Sequence, residues 1–188
     1  MGTAQKAAAI MIVIASAWAS AIVAGPAWAG KPAPAPAPPP GPEAALEFLR
    51  GQIGPVGFID SYVEDKTDDS YTYDNALAVA AFVVGKDLAS AARILDAFRL
   101  VGPEPGGGFV HRYHASDGRP DGRLYAGANA YLLHAINLYF QVSGDPTYTH
   151  LAEGIAEFLL SLQDSGDGGI FGYPGAVWKS TENNLGVV

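Results

Sequence analysis

The sequence predicts an all-α fold: an incomplete (α/α) toroid of helical hairpins, with about five helices and the start of a sixth, and small β-hairpins in the rim loops. Three observations lead there. A short pattern returns three times: Gly57-Phe58, Gly107-Gly108-Phe109 and Gly168-Gly169-Ile170 each follow a helix-like stretch, and each precedes an asparagine that opens another helix, Asn75, Asn129 and Asn184. The asparagines lie 54 and 55 residues apart, so one supersecondary unit is used repeatedly. Helices of two kinds alternate, amphipathic and apolar nearly all round. The connections alternate as well, short after an apolar helix and long and glycine-rich after an amphipathic one.

Residues 43–53 are amphipathic, with Leu46, Leu49 and Ile53 on one side and Glu47, Arg50 and Gln52 elsewhere. Residues 74–84 (DNALAVAAFVV) are apolar on almost every face, which predicts a helix buried on all sides. Gly85-Lys86 is a short turn. Residues 87–100 are amphipathic again, with Leu88, Ala91, Leu95 and Phe98 as the stripe. Residues 128–142 (ANAYLLHAINLYFQV) are largely apolar, and Ser143-Gly144 is the next short turn. Residues 146–163 carry the stripe Leu151, Ile155, Phe158, Leu159 and Leu162. Asp145-Pro146 starts this helix with a capping carboxylate before a proline at the first helical position. A further inner helix is expected to start near Thr181.

The order is outer, inner, outer, inner, outer, inner. Nested rings bury the apolar helices, and the long loops emerge at one rim beside the inner-helix N-termini. Functional sites are expected there, because loops carry function and helix N-termini offer free N–H donors. In one such loop, residues 109–114 read as a short strand. Asp117-Gly118 is a hairpin turn signal, with residues 123–125 as the return.

The ends of the chain bound its biology. Residues 1–29 have the form of a secretory signal: Lys6, an uncharged apolar run over residues 7–23, and Ala27-Trp28-Ala29 as a peptidase site. The other reading is a retained anchor, for which the run is at the lower edge of bilayer length. Residues 30–42 are Pro/Ala-rich and favour a polyproline II spacer. Residues 43–188 form the folded domain, and no stable membrane insertion is expected after cleavage. There is no cysteine, so there is neither a disulfide nor a thiolate metal site. Net charge is −8; without Lys6 the chain carries 10 basic against 19 acidic residues, or −9. Nucleic acid is therefore not an expected partner, since phosphate binding needs clustered Lys and Arg.

Several segments resemble the six-hairpin glycosidase-like superfamily, the (α/α)6 toroids of bacterial carbohydrate-active proteins. They are Tyr71-Thr72-Tyr73-Asp74-Asn75-Ala76-Leu77, Gly127-Ala128-Asn129-Ala130-Tyr131, Gly168-Gly169-Ile170 and Trp178-Lys179-Ser180-Thr181-Glu182-Asn183-Asn184. The resemblance spans residues 43–188. It implies an enzyme or binding protein that acts on a carbohydrate ligand at the rim. The departure is length, because such toroids need about twelve helices: the chain reads as an N-terminal fragment of one, or another chain completes the ring.

Glycoside hydrolysis needs two carboxyl groups flanking one bond. Asp74 and Glu182 stand at inner-helix starts, beside Tyr73 and Trp178 respectively, and aromatic rings beside carboxylates suit a sugar. The same positions are also favoured for acids by the helix macrodipole alone. Asp60, after the first Gly-Phe element, is the third catalytic candidate. Its acidic neighbours Glu64, Asp65, Asp68 and Asp69 read as a solvated loop and do not match an EF-hand. Tyr73, Trp178, His111, Tyr113 and Asn129 are the substrate-binding candidates, although Asn129 and Asn75 equally fit a role bridging helix ends. His111 and His114 are three apart on a strand and point to opposite faces, so they do not chelate one metal together. His134 reads as a hydrogen-bonded core histidine. No metal and no cofactor is expected. The leading reading is an exported glycoside hydrolase-like protein. The alternatives are a non-catalytic glycan-binding or scaffold toroid and, more remotely, a terpene-cyclase-like toroid suggested by Gln52 and Gln163 before their glycines.

Overall fold

The computed structural model describes residues 41–63 and 66–187. The expected signal segment 1–29, residues 30–40 of the linker, and Glu64 and Asp65 of the acidic loop lie outside the described residues. The helices are α1 (Pro42–Gly51), α2 (Thr72–Val84), α3 (Leu88–Val101), α4 (Ala126–Ser143), α5 (Thr149–Ser161) and α6 (Thr181–Val187). The two strands are β1 (Asp69–Tyr71) and β2 (Arg112–His114).

The inner and outer alternation is realised in the packing. α2 packs most extensively against α4, and α4 in turn against α6, giving an inner series α2–α4–α6. α3 packs on α2 and α4, and α5 packs on α4, both from outside. Small residues let α2 approach its neighbours, with Ala76, Ala78 and Val79 buried together with Phe82 and Val83. The outer helices bury one stripe each: Ala91, Ile94, Leu95 and Phe98 on α3, and Leu151, Ile155, Phe158 and Leu159 on α5. α6 is short and buries no residue.

Local chemistry sets the helix starts. Asp87 caps α3 by accepting from the Ser90 N–H at 3.1 Å and receives Arg50 Nε of α1 at 2.6 Å. Asp145 accepts from the Thr147 N–H and starts a 3-10 turn, Pro146–Tyr148, that leads into α5. The inner helices begin two residues earlier than their apolar pattern predicts, at Thr72 and Ala126. Thr72 is drawn in by a tertiary bond, its buried hydroxyl donating to Val110 O at 2.6 Å.

The strands differ from the expected local hairpin. The regular ladder runs between two rim loops: β1 and β2 pair antiparallel, with Asp69 opposite His114 and Tyr71 opposite Arg112. The expected return past Asp117-Gly118 exists as single bridges, Val110 to Leu124 and Tyr113 to Pro120. Beneath the sheet lies an aromatic cluster. Phe58 stacks on Tyr113 at 4.7 Å, and Phe98 meets Phe58 edge-on at 4.9 Å and Phe109 at 5.3 Å. Each such pair adds about 0.5–1.5 kcal/mol beyond its burial. His134 corrects its reading as a core residue: it is exposed, and its Nε2 meets Gly186 O at 2.7 Å, tying α4 to α6.

Candidate functional site

The rim is built on one device used three times. An asparagine in the first turns of each inner helix reaches back and holds the preceding loop. Asn129 accepts from Phe109 N at 2.7 Å and donates to Phe109 O at 2.8 Å and Tyr125 O at 2.9 Å. Asn184 repeats this on Ile170 N, Ile170 O and Ser180 O, at 2.7, 3.1 and 2.9 Å. Asn75 accepts from Ile59 N at 3.0 Å and donates to Ser70 Oγ and Tyr71 O. The residue four before each asparagine is the helix cap whose carbonyl is bound, and in two repeats it is a tyrosine, Tyr71 or Tyr125. The caps are thus delivered to the rim by the same bond.

Those two tyrosines belong to a continuous row of rings. Tyr62 meets Tyr71 at 6.0 Å, Tyr71 meets His111 at 5.9 Å, and His111 meets Tyr125 at 5.1 Å. The row continues from Tyr125 to Tyr173 at 5.7 Å and from Tyr173 to Trp178 at 5.8 Å. All six rings are partly or well exposed. Contacts along the row are mostly edge-to-face, the preferred arrangement of aromatic quadrupoles. His111 is held against the Arg123 backbone, its Nδ1 lying 3.1 Å from Arg123 N and 3.2 Å from Arg123 O. Trp178 lies over Gly172, where any Cβ would stand 2.1 Å from the indole.

The carboxylates divide into committed and uncommitted groups. Asp68 accepts from Ser116 N at 2.9 Å and Ser116 Oγ at 2.5 Å, and the Ser116 hydroxyl bond chiefly holds its carboxyl below the usual range. Asp69 and Asp121 pair with Arg112. Asp164 and Asp167 share Lys179, whose ammonium lowers both. Asp74, by contrast, is engaged in no hydrogen bond or ion pair among the described residues, and the same holds for Glu182. Both stand in the first turn of an inner helix. The phenol of Tyr73 lies within the field of both. Its pKa is raised first by burial, then by Tyr131, whose ring is 4.6 Å away, and further by the charges of Glu182 and Asp74. Asp60 accepts from Tyr62 N at 3.0 Å and lines a cleft of about 410 Å³ together with Asp74.

The structure therefore brings Tyr73, Asp74 and Glu182 to one region and places Asp60 and Asp74 on one cleft. His111 and Trp178 stand in the ring row. Two candidates are corrected. Tyr113 is buried in the aromatic cluster, 2% exposed, and its phenol pKa is pushed up by that burial. Asn129 is fully buried and its amide is spent on backbone. Both belong to the frame and do not face a ligand. Sequence reading missed Tyr62, Tyr125 and Tyr173 as ring-row members; the signal for Tyr125 was its place four before the repeated asparagine, shared with Tyr71. Among the described residues no group of three or more His, Cys, Asp or Glu is placed to hold a metal ion.

No family model matches the chain, and no curated protein matches it. Solved structures do. A family 8 glycosyl hydrolase endoglucanase from Klebsiella pneumoniae is similar at TM-score 0.58 and 18% identity, over 70% of this chain and 43% of that one. An endo-β-1,4-glucanase from Acetobacter xylinum is similar at TM-score 0.57 and 18% identity, over 73% and 45%. A cellobiose 2-epimerase from Bacillus thermoamylovorans gives TM-score 0.57 and 14% identity, over 74% and 42%. The fold is therefore that of the six-hairpin glycosidase-like (α/α)6 toroids. The chain spans less than half the length of each of these structures.

Proposed function

We propose that this chain is an exported, glycoside hydrolase-like protein that binds a linear glycan along the rim and cleaves it there. The observation that carries this reading is the row of six partly or well exposed rings at the rim, together with two carboxylates at inner-helix starts that make no hydrogen bond or ion pair among the described residues. Pyranose faces are apolar and stack on aromatic rings, while their hydroxyls remain in water. A row, as opposed to a single ring, suits a chain of sugar units. Asp74 and Glu182 are the proposed acid and nucleophile-or-base pair, with Asp60 on the same cleft as Asp74 and the Tyr73 phenol within the field of both. Tyr73, His111 and Trp178 are the proposed contacts to sugar.

The chemistry needs only these side chains: one carboxyl protonates the leaving oxygen, and the other attacks the anomeric carbon or activates water. A second reading, a non-catalytic glycan-binding toroid, is favoured by the exposure of Glu182, which stands open to solvent. Export rests on the uncharged run and the Ala27-Trp28-Ala29 site, so the processed chain starts at Gly30.

Affinity electrophoresis on soluble linear glucans, with reducing-end release measured alongside, tests both readings. Trp178→Ala is expected to weaken retention about tenfold, in line with about 1–3 kcal/mol per stacked ring. Asp74→Asn is expected to keep retention and stability while turnover falls by at least two orders of magnitude. Retention without turnover in the parent chain selects the binding reading. No retention on any glycan rejects both.

A further inference from the structure

The rim loop that runs over residues 110–124 carries three arginines, and their heads are treated differently. Arg112 meets Asp121 at 2.5 Å and Asp69 at 3.4 Å. Arg119 stands 4.0 Å from Asp117. The guanidinium of Arg123 is engaged by no carboxylate and by no hydrogen-bond acceptor among the described residues, and the residue is exposed. This is not for want of acids, since the chain has 19 acidic residues against 11 basic ones. The nearest acid in sequence, Asp121, is already taken by Arg112.

The backbone of Arg123 is pinned while its head stays open. Gly122 precedes it at φ 122°, and a Cβ there would stand 2.1 Å from the His111 ring, so only glycine lets the chain run this close to the histidine. His111 N donates to Arg123 O at 2.8 Å, and the bridge of Val110 to Leu124 follows directly. The Arg123 head then lies over the Tyr173 ring, 6.0 Å from its centroid. That is the outer edge of the cation–π range, where the ring directs the guanidinium without enclosing it. One residue thus touches His111 with its backbone and Tyr173 with its head, spanning Tyr125, which lies between those two in the row. A guanidinium set over a ring keeps its N–H donors at its edge, in the planar fork that matches a carboxylate. Tyr173 and Leu124 also wall an apolar depression of about 340 Å³ with Phe158 and Phe171, so surface for a sugar face lies beside the cation.

We propose that the glycan taken by the row carries a uronic acid unit, a sugar oxidised at C6 to a carboxylate, and that Arg123 is the residue that selects it. The sugar ring packs on Tyr173, and its carboxylate accepts two N–H bonds from the Arg123 fork. A neutral sugar at this place offers the fork only hydroxyls and leaves the cation to water. The net charge of −8 opposes a chain of carboxylates arriving together. The substrate class is therefore a mixed glycan with uronic acid units set among neutral sugars, and not a polyuronate. This inference rests on the glycan reading of the row and adds to it the kind of sugar that one place in the row prefers.

Titration calorimetry of the full chain with three matched hexasaccharides tests it: a linear glucose hexamer, the same hexamer with one inner unit oxidised at C6, and the methyl ester of that acid. Both β-1,4- and α-1,4-linked sets are used. The acid is expected to bind about fivefold more tightly than the neutral hexamer, the size of a well-formed exposed ion pair. The ester has the acid's shape without its charge and should bind like the neutral hexamer. Arg123→Gln is expected to bring the ratio of acid to neutral affinity down to about one. The ratio is the measure because it cancels any loss shared by both ligands when the head leaves the Tyr173 ring. Arg123 is exposed, so the far-ultraviolet circular dichroism of the variant should match the parent. A neutral hexamer bound as tightly as the acid overturns the proposal and leaves the glycan reading standing. So does an ester that keeps the preference, or a preference that survives Arg123→Gln. Binding of no hexasaccharide in either set by the parent chain removes the glycan reading, and this inference with it.

Discussion

Asn129→Ala is expected to be among the most damaging single changes in this chain, and the reason can be worked from its bonds. The side chain is fully buried. It satisfies three backbone groups at once: the N–H of Phe109 at 2.7 Å, the C=O of Phe109 at 2.8 Å and the C=O of Tyr125 at 2.9 Å. Alanine removes all three partners and leaves Phe109 orphaned among apolar neighbours. An unsatisfied buried group costs roughly 1–3 kcal/mol, and carbonyls with a second acceptor direction lie at the low end, so the sum is about 3–5 kcal/mol. That is a large part of a domain's total stability, roughly 5–15 kcal/mol. Asn184→Ala removes the same three bonds from the half-buried end of the arc, where water can replace them, and should cost only about 1 kcal/mol. Urea unfolding followed at 222 nm, with the slope compared between variants, measures both. Equal losses at the two positions, or a loss below about 1 kcal/mol for Asn129→Ala, would refute the reasoning that burial of the bonds sets their worth.

Two further predictions concern charge and backbone. The Arg50 guanidinium, followed by the Ser90 bonds, holds the Asp87 carboxyl below its usual value. A depressed carboxylate contributes stability that is complete above the unfolded-state pKa of about 3.9 and fades as pH falls through the lower folded value. Asp87→Asn should therefore lower stability at pH 7 and flatten the acid-unfolding curve below about pH 4; a parallel curve shifted by a constant amount counts against the Arg50 contact as its source. Gly122 has φ 122°, and a Cβ there would fall 2.1 Å from the His111 ring. Gly122→Ala should cost about 1–3 kcal/mol in backbone strain, turn His111 out of the row and weaken glycan retention, read by the His111 ring-proton shifts and by affinity electrophoresis.

The layered arrangement of the helices was legible because burial has a period. Helices exposed on one face carry one stripe, while helices enclosed by others carry none, and the chain alternates between the two. The repeated asparagine was also legible, from its near-constant spacing along the chain. Helix starts were less so. Thr72 joins α2 because its hydroxyl finds Val110 O, 38 residues away, and no local propensity encodes that bond. The β1–β2 ladder was hidden for the same reason, since Ser70 and Tyr113 are remote in sequence. Tyr113 was misplaced because a strand's alternation states which residues share a face and not which face is covered. The ring row was only half visible: single tyrosines in loops carry no pattern until the loops are brought side by side.

The three asparagine clamps have one property in common that their loops do not share. The held residue and its asparagine are 16, 20 and 14 positions apart, yet the geometry at both anchor points is nearly the same. A carboxamide presents one acceptor and one donor in a plane, as a peptide group does. Where it takes both the N–H and the C=O of a single residue, as at Phe109 and Ile170, it acts as a lone rung of sheet without a strand to carry it. Each loop is therefore fastened at two points, and its length between them is free. Insertions, deletions or wholesale exchange of rim segments leave the helix ends where they are. A scaffold fastened this way can change what its rim touches without relearning how to fold.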